Sequence, residues 1–279
     1  MKVLTRRLID KFRQHLVEEE KTAATLEKYM RDIEAFSQWL RGRRIDKKIV
    51  LEYKEHLVRN YAPSSVNSVI SSLNSFFIFN EWYLFKVKGV KIQKQIFASS
   101  EKELTKSEYE RLLTVAQKKK NERLYLLMQT ICSTGIRVSE LKYITVEAIV
   151  RQRATINCKG KMRIVILPKQ LCSMLVRYVR RKKITAGSVF QTKSGKPLDR
   201  SNIWSDMKNL CREAGVSRDK VFPHNLRHLF ARTYYSVQRD IVRLADILGH
   251  SSINTTRIYT METGEIHRQQ IQKLGLLRC

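Results

Sequence analysis

The chain has 279 residues, 43% of them apolar, which is enough for a buried core and for two domains. Lysine and arginine number 54 against 26 acidic residues, and this net charge of +28 runs through both halves, so the partner it points to is a polyanion. Five cysteines, odd in number and without C-x-x-C spacing, exclude a disulfide framework and a zinc knuckle; no apolar run approaches membrane-spanning length, and the charged M-K-V-L-T-R-R start excludes a signal peptide.

The opening hundred residues read as helices. Leu8, Ile9, Phe12 and Leu16 share one face of the first, and Leu26, Tyr29, Ile33, Phe36 and Leu40 share one face of the second. A more polar third helix is expected over 47–59. A fourth carries Val66, Val69, Ile70, Leu73, Phe76 and Phe77 after a start marked by Ala62-Pro63-Ser64. The periodicity assigns Tyr29, Phe36, Trp39, Phe76, Phe77 and Trp82 to the core rather than to base stacking. Residues 1–84 are therefore expected to be a helical DNA-binding domain with basic outer faces, and 85–103, with Lys86, Lys88, Lys91 and Lys94, a basic extended linker.

Thr105-Lys106-Ser107-Glu108 has the form of a capping box and opens the second domain, 104–279. Helices are predicted over 106–118 and 122–134, with another starting near Arg137. R-A-T-I-N-C-K-G-K-M-R-I-V-I-L-P reads as a β-hairpin turning at Lys159-Gly160. Helices resume over 169–182, 200–214, 224–237 and 240–248, and the 262–279 tail places Ile266, Ile271 and Leu274 on one face. The fold class is mainly α with a small β-rich portion.

Four segments carry chemistry: T-G-I-R-V-S-E-L at 134–141, P-H-N-L-R-H at 223–228, L-G-H at 248–250 and R-I-Y-T at 257–260. Cleaving a phosphodiester requires neutralised non-bridging oxygens, an in-line nucleophile and a proton for the leaving oxygen. Arg137 and Arg227 suit the first task, since a planar guanidinium donates paired hydrogen bonds and stays charged. Tyr259 is the candidate nucleophile: attack would form a covalent phosphotyrosine that retains the ester energy, so rejoining needs no ATP and the arginines remove the need for a metal. Lys159 on the hairpin turn is the candidate general acid, with Lys161 a near neighbour. His224, three residues before Arg227 and on the same helical face, would take or hold the tyrosine proton, and His250 would donate to a phosphate oxygen. His224 and His228 have the i, i+4 spacing of zinc ligands, but Asn225 follows His224, so H-E-x-x-H fails and no metal or other cofactor is expected. His228 is expected to pack behind Arg227.

At these residues the chain resembles the tyrosine recombinases, the family of phage integrases and Xer-type recombinases. The matching segments are T-G-I-R-V-S-E-L, C-K-G-K-M-R-I-V-I-L-P, H-N-L-R-H-L-F-A and L-G-H-S-S-I-N-T-T-R-I-Y-T, in the family's order. T-L-E-K-Y-M-R-D-I-E-A-F-S-Q-W-L (25–40) resembles the family's core-binding domain. The resemblance implies a SAM-like N-terminal bundle and a mixed α/β catalytic domain closing as a C-shaped clamp on double-stranded DNA. It also implies a 3′-phosphotyrosine on Tyr259, a phosphate clamp of Arg137 and Arg227 assisted by His224 and His250, Lys159 as the acid, and Glu140 orienting the catalytic shell. Where the family usually has G-K-G-x-K-x-R, Cys158 replaces the first glycine and the turn is one residue shorter, which keeps Lys161 a rival for the acid. Homotetramers around two duplexes, a tail docked on a neighbouring subunit and accessory DNA-bending proteins are further expectations. So are site-specific strand exchange, as integration, excision or resolution of DNA elements, and a cytoplasmic location on the bacterial nucleoid. With no room before residue 1 for an arm-binding domain, the resemblance is to the simpler two-domain members. A type IB topoisomerase, which shares the tyrosine chemistry, and a DNA-binding protein with a dead site are the alternatives.

Overall fold

The computed structural model describes residues 2–92, 102–158, 161–192, 194–259 and 272–273, and the chain divides into two units, Met1–Lys94 and Gln95–Cys279. The first unit is built by α1 (Arg6–Glu18), α2 (Ala23–Leu40), α3 (Lys47–Asn60) and α4 (Pro63–Phe79). Thr5, Thr22 and Asp46 cap the first three, each side chain accepting the backbone N–H three residues on. The fourth lacks a side-chain cap and starts instead on Pro63, where the missing N–H costs nothing. Phe12, Ile33, Phe36, Phe76 and Phe77 are fully buried between these helices, and Phe12 meets Phe76 edge-on with ring centroids 5.2 Å apart. Tyr29 and Trp39 pack against the same core, so these aromatics are structural.

After a short 3₁₀ turn at Tyr83–Phe85 the chain runs extended. Two asparagines of α4 hold it there by mimicking a backbone partner. Asn74 accepts from Val87 N (3.0 Å) and donates to Val87 O (2.9 Å); Asn67 accepts from Val90 N (2.7 Å) and donates to Val90 O (2.9 Å). Val87 is buried. The start of the lysine-rich segment is thus bound to the first unit, while 93–101 lie outside the described residues.

In the second unit the Thr105–Glu108 capping box forms as expected, Thr105 N–H donating to Glu108 Oε2 (2.8 Å) and Glu108 N–H to Thr105 Oγ1 (3.2 Å). It starts α5 (Lys106–Lys118), which is followed by α6 (Glu122–Thr134). Near Arg137 the chain forms a 3₁₀ helix, Val138–Tyr143, rather than an α-helix. α7 (Val146–Val150) leads into an antiparallel hairpin, β1 (Arg153–Cys158) and β2 (Lys161–Ile166), with Arg153 opposite Ile166 and Cys158 opposite Lys161. Ala154, Ile156 and Val165 face the core, whereas Met162, Ile164 and Ile166 face out.

α8 (Lys169–Lys182) follows, and the helix expected over 200–214 is two, α9 (Arg200–Lys208) and α10 (Cys211–Ala214). The chain tightens between them, Leu210 N–H bonding Met207 O (3.1 Å), and this turns Leu210 and Cys211 into the core. α11 (Pro223–Gln238), α12 (Ile241–Leu248), α13 (Ile253–Thr256) and a 3₁₀ turn, Arg257–Tyr259, complete the described fold. α11 lies against α6, which brings the turn at Gly135 under Arg227. The architecture is mainly α with one two-stranded sheet. No helix among the described residues is long and apolar enough to cross a membrane.

Candidate active site

Three successive carbonyls at the end of α12 each accept from a different arginine. Ile247 O receives Arg163 Nη1 (2.7 Å), Leu248 O receives Arg227 Nη2 (2.8 Å) and Gly249 O receives Arg137 Nη2 (3.4 Å). A helix C-terminus carries partial negative charge on its unpaired carbonyls, so it gathers cations that would otherwise repel one another. Gly249 ends the helix in the left-handed region, φ +64°, and an added Cβ would fall 2.5 Å from Arg163 Cδ. Glycine is required there for both reasons.

Arg227 is the most enclosed of the three, 2% exposed. Besides Leu248 O it donates to Gly135 O (2.5 Å) and to His250 Nε2 (3.0 Å). Burial, and then the charge of Arg137, push its pKa down to about 10, while the nearby Tyr259 works in the opposite direction. It remains charged at neutral pH. Arg137 caps the 3₁₀ helix and keeps a side chain 40% exposed. Its backbone N–H donates to Glu140 Oε2 (2.9 Å) and its Nη1 to Glu140 Oε1 (3.0 Å).

Glu140 is buried, and Arg163 Nη2 also donates to its Oε2 (2.5 Å). Burial works to raise its pKa, but the Arg137 N–H, the charge of Arg163 and the two guanidinium hydrogen bonds outweigh it and hold the carboxyl below the usual range. Glu140 is thus an ionised brace between two arginines.

Tyr259, 4% exposed, sits in a pocket with Ala231, Leu244 and Leu248. Its ring lies edge-on to His228 (centroids 4.6 Å, 78°) and nearly parallel to His250 (5.9 Å, 16°). His228 in turn meets His224 edge-on at 4.4 Å. His228 therefore contacts the tyrosine directly, beyond its expected place behind Arg227. His250 Nδ1 is 2.8 Å from Thr256 Oγ1.

Burial lowers the pKa of all three histidines. His228 is pushed down to about 4 by burial, then by His224, Arg232 and Arg227. His250 is pushed down to about 4 by burial, then by Arg227, Arg137 and Arg163. His224 keeps an exposed edge, yet the atoms crowding its ring, and then Arg227, Arg137 and Arg200, hold it below its ordinary value. All three are neutral at pH 7.

Arg137, Arg227, His224, His228, His250, Glu140 and Tyr259 are therefore brought together within one unit. Lys159 and Gly160 lie outside the described residues, as does the tail apart from 272–273; of Lys161 the backbone stands in β2.

A model of the phage integrase family matches residues 102–265, and one of the phage integrase N-terminal SAM-like domain matches residues 9–82. The chain belongs to the phage integrase family of tyrosine recombinases. Tyrosine recombinase XerA of Pyrococcus furiosus is 29% identical over 288 residues, covering 99% of this chain and 96% of that protein. Tyrosine recombinase XerD of Xanthomonas axonopodis pv. citri is 29% identical, covering 96% and 94%. In fold, this family member is similar to a lambda integrase dimer bound to a COC′ core site, with TM-score 0.77 at 19% identity over 94% of this chain and 96% of that one. It is also similar to the XerH site-specific recombinase in a post-cleavage complex with a palindromic difH substrate, with TM-score 0.70 at 22% identity over 92% and 79%.

Two members of this recombinase site were not singled out from the sequence. Arg163 fills the last position of the hairpin motif in C-K-G-K-M-R, but only the hairpin's packing shows that it reaches Glu140 and Ile247. Thr256 is one of two adjacent threonines in a polar run, and its hydroxyl finds His250 only because α13 turns back.

Proposed function

We propose that this recombinase performs strand exchange at specific sites in double-stranded DNA, with Tyr259 as the nucleophile. Arg137 and Arg227 hold the non-bridging oxygens of the scissile phosphate. The Tyr259 oxygen bonds to phosphorus as its proton passes to neutral His224 or to water. The bond from phosphorus to the 5′ oxygen breaks, the electron pair leaves with that oxygen, and the hairpin lysine, Lys159 or its rival Lys161, supplies the proton. A 3′-phosphotyrosine and a free 5′ hydroxyl result, and the reverse sequence on a new 5′ hydroxyl rejoins the strands.

The observation that carries this reading is the placement of Tyr259 against Arg227 and His250 in the same chain. The cationic cluster suits the charge of a bound phosphate. The lambda integrase tetramer bound to a Holliday junction, a chain of the same fold, supports a synaptic tetramer here. The two units would then grip the duplex mainly through its phosphates, consistent with the +28 charge.

Covalent trapping tests the assignment. Wild type and Tyr259→Phe are incubated with nicked duplexes selected from a random-sequence library and resolved on a denaturing gel. A DNA-linked band in wild type alone is expected, with equal DNA binding by both proteins. A linked band in Tyr259→Phe places the nucleophile elsewhere.

A further inference from the structure

We propose that Arg163 is a positioning residue that sets the phosphate clamp, acting through Arg137. The proposal rests on the reading of Arg137 as a phosphate ligand.

Arg163 stands on β2 opposite Ile156, inside a regular ladder, so its backbone is fixed by the sheet. Its side chain is 16% exposed, and among the described residues its guanidinium donates to Glu140 Oε2 at 2.5 Å and to Ile247 O at 2.7 Å. Its Nε is buried with no partner among the described residues. A buried unpaired donor is costly, and the side chain is held in that place by contact with Gly249, whose Cα leaves no room for a Cβ. None of these features serves the hydrophobic core. They all bear on the two elements that carry the clamp.

The first element is the Arg137 turn. Glu140 uses Oε1 for the Arg137 guanidinium and Oε2 for both the Arg137 N–H and Arg163. A carboxylate bonded from both sides cannot rotate, so Arg163 fixes the plane from which Arg137 projects. Without it Glu140 would keep one cationic partner and its Oε2 would have lost its closest donor. The second element is the end of α12. Through Ile247 O, Arg163 holds the same turn whose next two carbonyls receive Arg227 and Arg137. Arg163 therefore ties the sheet, the 3₁₀ helix and the α12 terminus into one frame. The half-exposed guanidinium of Arg137 is the member of that frame left facing outward.

A double-mutant cycle on single-turnover cleavage of a nicked duplex recovered by covalent trapping tests this. If Arg163 acts through Arg137, Arg163→Met slows cleavage by about 10²-fold in the wild-type background but by less than about 5-fold once Arg137 is already alanine. DNA affinity is expected to change less than about 3-fold. Equal slowing in both backgrounds overturns the proposal, because a merely structural role adds independently. Arg163→Lys, run through the same cycle, keeps a cation for Glu140 and gives up the fork. It is expected to slow cleavage about 10-fold, again only when Arg137 is present, and it measures the same coupling if the methionine variant fails to fold. Failure of the underlying reading has a separate signature: Arg137→Ala alone would then cleave at close to the wild-type rate.

Discussion

Arg227 Nη2 lies 3.0 Å from His250 Nε2, and this one contact sets the state of the imidazole. A guanidinium only donates, so Nε2 is the acceptor; in the neutral ring the proton then sits on Nδ1 and is given to Thr256 Oγ1 at 2.8 Å. His250 is thereby held as a neutral ring that bridges Arg227 to α13, one short turn before Tyr259. Donation from Nε2 to a phosphate oxygen, expected from the sequence, requires exchange of that contact when DNA arrives.

The bridge makes Thr256 a testable residue. Thr256→Val keeps the shape and removes the acceptor for Nδ1–H. Single-turnover cleavage is expected to slow by about 10-fold with DNA affinity unchanged, whereas Thr256→Ser stays within about 2-fold of wild type. Equal rates for the valine and serine variants would show that the hydroxyl does not anchor the ring.

The two arginines proposed to hold the phosphate differ in burial, and lysine substitutions should separate rate from stability. Either substitution replaces a bidentate fork by a point charge and is expected to cost about 10²-fold or more in cleavage. Arg227→Lys also strands Gly135 O or Leu248 O inside the unit, so it should lower stability by about 2–4 kcal/mol. Arg137→Lys removes contacts from a half-exposed side chain and should lower it by less than about 1 kcal/mol. Denaturant melts of the two variants check this; equal losses would mean that the burial of Arg227 carries no structural weight.

Much of this was legible in the chain. The four-helix pattern, the Thr105–Glu108 box and the pairing of β1 with β2 are local signals, each written in spacing over fewer than about twenty residues. Arg137, Arg227, Tyr259 and the histidines, which the fold brings together, stood out as motifs because the chemistry proposed for them restricts residue type. What could not be read were relations across the chain. The three carbonyls of Ile247, Leu248 and Gly249 have no side-chain identity to betray them, and their partners come from 137, 163 and 227. The grip of Asn67 and Asn74 on Val90 and Val87 was hidden likewise: the 85–103 segment has linker composition, yet its first residues are held by backbone groups that composition does not describe.

Stability should depend on pH in a window set by the buried histidines. His228 and His250 are both held down to about 4, against an ordinary value of about 6.5. Between those limits the unfolded chain binds protons that the folded chain refuses, so stability falls as pH drops from about 6.5 to about 4. Both rings are partly accessible, so the combined loss is of the order of 1–2 kcal/mol, or about 3–6 °C in Tm. Glu140 acts below this window: its pKa is lowered, so its contribution is present above the ordinary carboxylate value and disappears as pH falls through the folded one. Thermal melts between pH 7.5 and 4.5 check the sign. A Tm that stays level or rises on acidification contradicts the burial of these rings.

The asparagine pair on α4 gives a prediction for the first unit alone. Each of Asn67 and Asn74 makes two hydrogen bonds to one backbone residue, so alanine at either position leaves an N–H and a carbonyl of the extended segment without partners. The expected cost is about 1–3 kcal/mol for Asn74→Ala, because Val87 is buried and its backbone groups cannot turn to water. Asn67→Ala should cost less, since Val90 is only partly enclosed. Release of the segment should also free the backbone after Lys86, Lys88 and Lys91, whose side chains are already exposed, for cleavage by trypsin. Limited proteolysis should therefore cut the Asn74→Ala protein faster than wild type after these lysines, ahead of any cut inside α1 to α4. Unchanged cleavage kinetics would mean that the lysine-rich segment holds its place without the asparagine clamp.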